Sequence, residues 1–167
     1  MLTCCMNGND FIIFYEEYAK FRLAQYWGIS PDVITHLSKI NASSDYDLLF
    51  GEIKIDVKTS SPVVVKKNRT PIWDFSLRKV KNRKRKGQNN ECDYFLLVGM
   101  KNGIPNSVYL VPSVEAPTNH IRIPLTKTSK YEKYKMTDKA TNPPLCIQEY
   151  RGVGVYLTTN LHKTFSK

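Results

Sequence analysis

The chain has 167 residues, 41% of them hydrophobic, enough for one domain around a single core and too many for a disordered protein. Its 25 Lys and Arg against 15 Asp and Glu leave a net charge of +10, which favours an anionic partner, either a nucleic acid or an acidic membrane surface. There is no run of about 18 or more apolar residues, which excludes a bilayer-spanning helix.

The opening "MLTCCMNGND" has neither the basic region nor the apolar stretch of a signal peptide, so an intracellular, cytoplasmic location is expected. Cys4, Cys5, Cys92 and Cys146 contain no C-x-x-C pair and two of them are adjacent, which disfavours a zinc knuckle and a disulfide framework alike. His36, His120 and His162 are far apart and show no metal-ligand spacing, so they read as ordinary surface or core residues.

Residues 10–27, "DFIIFYEEYAKFRLAQYW", predict a helix capped by Asp10 and stopped at Gly28, with Pro31 beyond. Its apolar residues cover more than one stripe, so it should pack against a sheet and a further element. A second short helix is expected within 31–40. Residues 45–60, "DYDLLFGEIKIDVKTS", read as a hairpin, and "TPIWDFSLRK" as a third strand with Trp73 and Phe75 on one face, together suggesting an antiparallel meander. "CDYFLLVGM" predicts a buried strand, paired with "SVYLVPS" across the turn-rich "KNGIPN". Beyond residue 116 the pattern weakens, and only "GVGVYLTT" near the end resembles another strand. The expected fold is α/β, a mixed central sheet flanked by helices, in one domain over 1–167 with its core at 10–113 and a C-terminal extension at 114–167.

The hairpin carries the chemistry. Gly51 at the first central turn position suits a type II′ turn, and counting outward pairs Phe50 with Ile53, Leu48 with Ile55 and Asp47 with Asp56. One face then holds Tyr46, Leu48, Phe50, Ile53, Ile55 and Val57. The other holds Asp45, Asp47, Lys54, Asp56 and Lys58. Opposed residues lie about 4.5–5.5 Å apart at Cβ, where two like charges destabilise a sheet unless compensated. A divalent cation compensates them, and magnesium takes one or two carboxylates while leaving positions for water and phosphate. A half-exposed strand can also alternate apolar and charged residues with no site on it, and spacing alone leaves both readings open.

Asp47 followed by "LLFGEIK" and then "DVK" at 56–58, behind a helix bearing Glu17, resembles the PD-(D/E)-x-K nuclease superfamily, the restriction-endonuclease-like fold that includes homing endonucleases and Holliday junction resolvases. Tyr46 stands where that pattern has proline. The resemblance covers roughly 10–113. It implies that Asp47 and Asp56 bind magnesium, with manganese as a substitute, and that Glu17 is a further ligand or water-orienting acid, with Glu16 as its nearest alternative. It implies that Lys58 positions or deprotonates the attacking water.

Residues 78–86, "RKVKNRKRK", hold seven basic residues in nine: Arg78, Lys79, Lys81, Arg83, Lys84, Arg85 and Lys86. They are expected to contact phosphate in DNA, with Ser60 adding a hydrogen bond. The run has too few apolar residues for a membrane anchor. The expected function is a magnesium-dependent DNA endonuclease, with a structure-selective resolvase or a non-catalytic nucleic-acid-binding module as alternatives. One site cuts one strand, so a homodimer or higher homo-oligomer is expected.

Overall fold

The structure, a computed structural model, describes residues 8–41, 44–64, 70–81, 84–87 and 92–137, with backbone alone at 8–11, 78–81 and 84–87. Helix α1 is Gly8–Trp27. It begins two residues earlier than expected, so Asp10 lies inside its first turn and is not its cap. It ends as the glycine predicts: Gly28 has φ 65°, its N–H donates to Gln25 O, and Ile29 N–H donates to Ala24 O. These two bonds form a Schellman cap, which needs a left-handed residue where glycine costs least.

Within residues 31–40 the expected short helix forms only as a single turn. A 3-10 turn at Pro31–Val33 leads into the two-residue strand β1 (Thr35–His36) and a single helical turn, α2 (Leu37–Ile40). The hairpin follows as β2 (Leu48–Phe50) and β3 (Ile53–Ser60). Its register is the predicted one, Phe50↔Ile53 through Leu48↔Ile55. Gly51 has φ 58° while Glu52 does not turn positive, which is the type II′ pattern.

The meander is not formed. After β4 (Pro62–Val64), strand β5 (Pro71–Ser76) leaves the hairpin's sheet and pairs with β4 and with β10 (His120–Pro124) in a separate three-stranded sheet. The basic run folds at the backbone as a two-stranded ribbon, β6 (Arg78–Lys81) and β7 (Lys84–Gly87). Strand β8 (Tyr94–Lys101) then pairs antiparallel with β9 (Ile104–Pro112), as the apolar run and its turn predict, and in parallel with β3. The main sheet has the order β1-β2-β3-β8-β9, mixed because β3 and β8 alone run parallel. The fold is α/β with a five-stranded mixed sheet at its centre.

Three layers result. Ala19, Leu23, Ala24 and Trp27, at helical spacing on α1, pack against Leu48, Phe50, Ile55, Val57, Leu96 and Val98. On the opposite face, Phe95, Leu97, Tyr109 and Val111 meet Trp73 and Phe75 of β5 and Ile121 and Ile123 of β10. Strand β8 is therefore buried on both sides, which is why its sequence is continuously apolar. The core also runs past residue 113: besides β10, Tyr131 and Met136 are buried, and Met136 N–H donates to Val108 O on the edge strand. "GVGVYLTT" lies outside the described residues. The second apolar stripe of α1 finds no further layer among them, since Phe14 and Phe21, seven residues apart on it, are each more than half exposed.

Candidate active site

Strand β3 carries residues of both faces in alternation, and its parallel partner shows which face each takes. Asp56 pairs with Phe95 and Lys58 with Leu97, both in the core under the three-stranded sheet, whereas Val57 pairs with Leu96 on the helix side. Asp56 is thus not on a solvated face: it is 1% exposed. A carboxylate in such a place requires a partner. Lys58, two residues on along the same face, supplies it, with Nζ 2.5 Å from Asp56 Oδ2.

Asp47 reaches this pair by a different route from the expected one. The regular ladder stops at Leu48↔Ile55, and the Asp47 N–H also donates to Ile55 O, at 3.0 Å. Two residues of the first strand lie against one of the second, the arrangement of a bulge, so pairing does not continue to Asp47↔Asp56. The other flank explains why: the Asp47 carbonyl accepts the Leu37 N–H at 2.8 Å, which ties it to the segment beside β1. The Asp47 side chain still closes on the site, because its Oδ2 accepts the Val57 N–H at 2.7 Å. Its carboxylate therefore sits at the peptide joining Asp56 to Val57. Tyr46, expected in the apolar face, is outside the core cluster, with the Lys54 Nζ 5.6 Å from its ring centroid.

The two helical glutamates are organised by a residue that sequence reasoning passed over. His36 is buried and bridges them, Nδ1 2.7 Å from Glu17 Oε1 and Nε2 2.7 Å from Glu16 Oε2. Ser38 Oγ also donates to Glu16 Oε2, and Lys39 Nζ lies 2.6 Å from Glu17 Oε1. His36 pairs with Leu48 in the sheet, so it connects the acids of α1 to the strand that follows Asp47. Its sequence signal was slight, since a lone histidine before a short helical turn has no spacing to interpret. Glu17 does not join Asp47 and Asp56 in a cluster. Among the described residues there is no group of three or more His, Cys, Asp and Glu side chains able to hold a metal.

Burial pulls the Glu17 carboxyl upward, but hydrogen bonds and charge from Lys39 and His36 outweigh it and hold it below its usual 4.5. The folded form thus binds this proton less readily than the unfolded chain. Stability from Glu17 is complete above pH 4.5 and is lost as pH falls through the lower folded value. The Lys39→Met variant is expected to lose less stability than wild type on acidification below pH 4.5, read as the shift in urea midpoint. Identical shifts in the two proteins would show that the Lys39 pair contributes nothing.

Cys92 lines the same region. Burial first, then the Asp56 carboxylate, push its thiol up to about 12 against a smaller opposing effect of Lys58. Buried and held protonated, the thiol forms a neutral wall of the site. Ser60, expected at phosphate, has its hydroxyl engaged within the fold: Oγ accepts the Asp74 N–H at 2.9 Å and donates to Ser61 O at 3.1 Å. His120 is not idle either, its Nδ1 lying 2.8 Å from Asp74 Oδ1. The side chains of Arg78, Lys79, Lys81, Arg83, Lys84, Arg85 and Lys86 lie outside the described residues, although the backbone of β6 and β7 is described.

The fold and the site define an α/β protein whose mixed sheet holds a buried aspartate paired with a partly exposed lysine, with a second aspartate drawn against it. No protein-family model matches the chain, and no curated protein does. Among solved structures, the bacterial homing endonuclease I-Ssp6803I is similar, with a TM-score of 0.47 and 16% identity over 77% of this chain and 89% of that one. A likeness of that degree carries no argument about chemistry. No helix among the described residues is long and apolar enough to cross a membrane.

Proposed function

We propose that the chain is a magnesium-dependent DNA endonuclease, hydrolysing phosphodiester bonds at Asp47, Asp56 and Lys58. The observation that carries this reading is the 1%-exposed Asp56 carboxylate 2.5 Å from the Lys58 ammonium, with the Asp47 carboxylate bonded to the next peptide N–H. A purely structural strand has no reason to bury an acid and draw a second one to it, because desolvating each charge is costly. A buried acid paired with a cation and set beside a second acid is an arrangement that recurs at sites of chemistry.

The donor set suits magnesium. That ion is held through one or two carboxylates, with water and substrate phosphate in its remaining positions, so a cage of three or more protein ligands is not required. Asp47 and Asp56 would hold it. Once bound, magnesium lowers the pKa of water and offsets charge on the phosphoryl group. The chain's own contribution is positional. The Val57 N–H fixes the Asp47 carboxylate, and the core beneath Phe95 and Leu97 fixes the strand. Lys58, on the same face as Asp56, neutralises charge on the phosphate and holds the attacking water within reach. Glu17, which lies outside this cluster, is linked to the strand pair through His36.

Cutting both strands of a duplex needs two such sites, so the working form is a homodimer or higher homo-oligomer. The exposed Phe14 and Phe21, on one face of α1, are consistent with self-association. The direct test incubates purified protein with supercoiled, linear and four-way-junction DNA, with magnesium and with EDTA. Magnesium-dependent nicking or linearisation is expected. Cleavage confined to junctions would point to a resolvase, and tight binding without cutting of any substrate would point to a non-catalytic module.

A further inference from the structure

The register of β6 and β7 divides the basic run into two sides. Lys79 pairs with Lys86 and Lys81 with Lys84, whereas Arg78 pairs with Gly87 and Val80 with Arg85. Residues opposed across an antiparallel pair share a side of it, as do residues two apart along a strand. One side of the ribbon therefore carries Lys79, Lys81, Lys84 and Lys86, and the other carries Arg78, Val80, Arg85 and Gly87.

These sides differ in what they need. Directly opposed like charges destabilise a sheet, and an isolated two-stranded ribbon is marginal in water to begin with. β6 and β7 form a sheet of their own, joined to neither of the others. The lysine side has two opposed like-charge pairs, so a polyanion laid along it would stabilise the ribbon. On the arginine side, each arginine is opposite an uncharged residue, and no such compensation is called for.

We propose that the lysine side of this ribbon is the docking surface for the phosphate backbone of duplex DNA, and that the arginine side faces away from it. The proposal rests on the DNA-cleaving reading for its choice of partner. Three features favour a duplex. The lysine side has no aromatic residue on which single-stranded bases would stack. It has no apolar residue to enter a bilayer surface. A two-stranded ribbon, with strands about 4.8 Å apart, is narrow enough to lie along the phosphates that border the roughly 12 Å major groove of B-form DNA, whereas the major groove of A-form RNA is deep and narrow.

The ribbon is also anchored for this task. β6 begins one residue after β5, and that residue, Leu77, is fully buried with its N–H donating to Asn119 O. It thus springs from the layer that covers the Asp56 side of the main sheet.

The test compares two matched variants of the full chain, K79Q/K86Q and R78Q/R85Q, which remove equal charge from adjacent positions on opposite sides. Binding to a short blunt duplex and to one of its single strands is titrated in EDTA over a range of salt. For K79Q/K86Q the slope of log K against log salt should fall by about two, as each lost phosphate contact removes roughly 0.9. For R78Q/R85Q the fall should be less than half that. Equal falls, a larger fall for the arginine variant, or wild-type affinity as high for the single strand as for the duplex would overturn the proposal. K81Q/K84Q repeats the lysine arm should the first variant fold poorly. Because cleavage is assayed separately with magnesium, a protein that shows this asymmetry but never cuts sinks the nuclease reading alone. One that cuts without the asymmetry sinks this proposal alone.

Discussion

Replacing Lys58 with methionine is expected to lower DNA cleavage by about 1,000-fold, some 4 kcal/mol of transition-state stabilisation, while duplex binding in EDTA changes little. Methionine keeps much of the stem and removes the ammonium that stands 2.5 Å from Asp56 Oδ2. Asp56 is 1% exposed, so the single variant also leaves a buried carboxylate without its cation, and a stability loss of about 3–5 kcal/mol is expected from that alone. Lys58 itself is 21% exposed at the side chain, which places the loss towards the lower end. The double variant D56N/K58M separates the two effects. An amide of the same shape beside a neutral thioether removes the uncompensated charge, so stability should return most of the way. Cleavage should not return, because both the ligand carboxylate and the ammonium are gone. A stable double variant that cuts supercoiled DNA at the wild-type rate would sink the assignment of this pair to chemistry.

A stability effect of comparable size is expected at Gly99. A Cβ built there would lie 2.6 Å from Cδ2 and Cε2 of Trp73 and 2.9 Å from Cε3. The indole cannot simply move aside, since Trp73 is 4% exposed and its Nε1 donates to Met100 O at 2.7 Å. This contact is where β5 rests on β8, so the absence of a side chain at residue 99 sets how closely the two sheets approach. Gly99→Ala is expected to cost about 3 kcal/mol, and to lower the melting temperature by roughly 6–12 °C. Trp73→Leu alone leaves a cavity and is destabilising too, but the double variant should be more stable than the sum of the two losses, because each relieves the fault of the other. Strict additivity in a urea denaturation cycle would show that the close approach is not what constrains residue 99.

Features set by near neighbours in the chain were legible in advance. The β2–β3 register followed from Gly51 and the alternation on either side of it. The end of α1 followed from Gly28, and the double burial of β8 from its unbroken apolar run. Each depends on local backbone preference or on the period of side chains along one element, which a sequence displays directly. The acidic pattern Asp47, Asp56, Lys58 was visible for the same reason.

The rest depended on segments distant in sequence. Trp73 and Phe75 mark β5 as a strand with one apolar face, yet nothing in its residues says that it leaves the hairpin's sheet to pair with β10 and cover the other side. That outcome was decided by the fit of the indole over Gly99 and by Ile121 and Ile123 completing the layer. The burial of Asp56 follows from that cover, and the strand's own alternation left it open to solvent. The bulge at Asp47 required the Leu37 N–H from the segment before the hairpin, and the role of His36 required two glutamates one helix away. Local sequence alone set which residues alternate, where the turns fall and which acids the hairpin carries. Which face is dry and which partners meet was settled by contacts between distant segments, because burial and pairing are properties of surfaces brought together and not of any one segment.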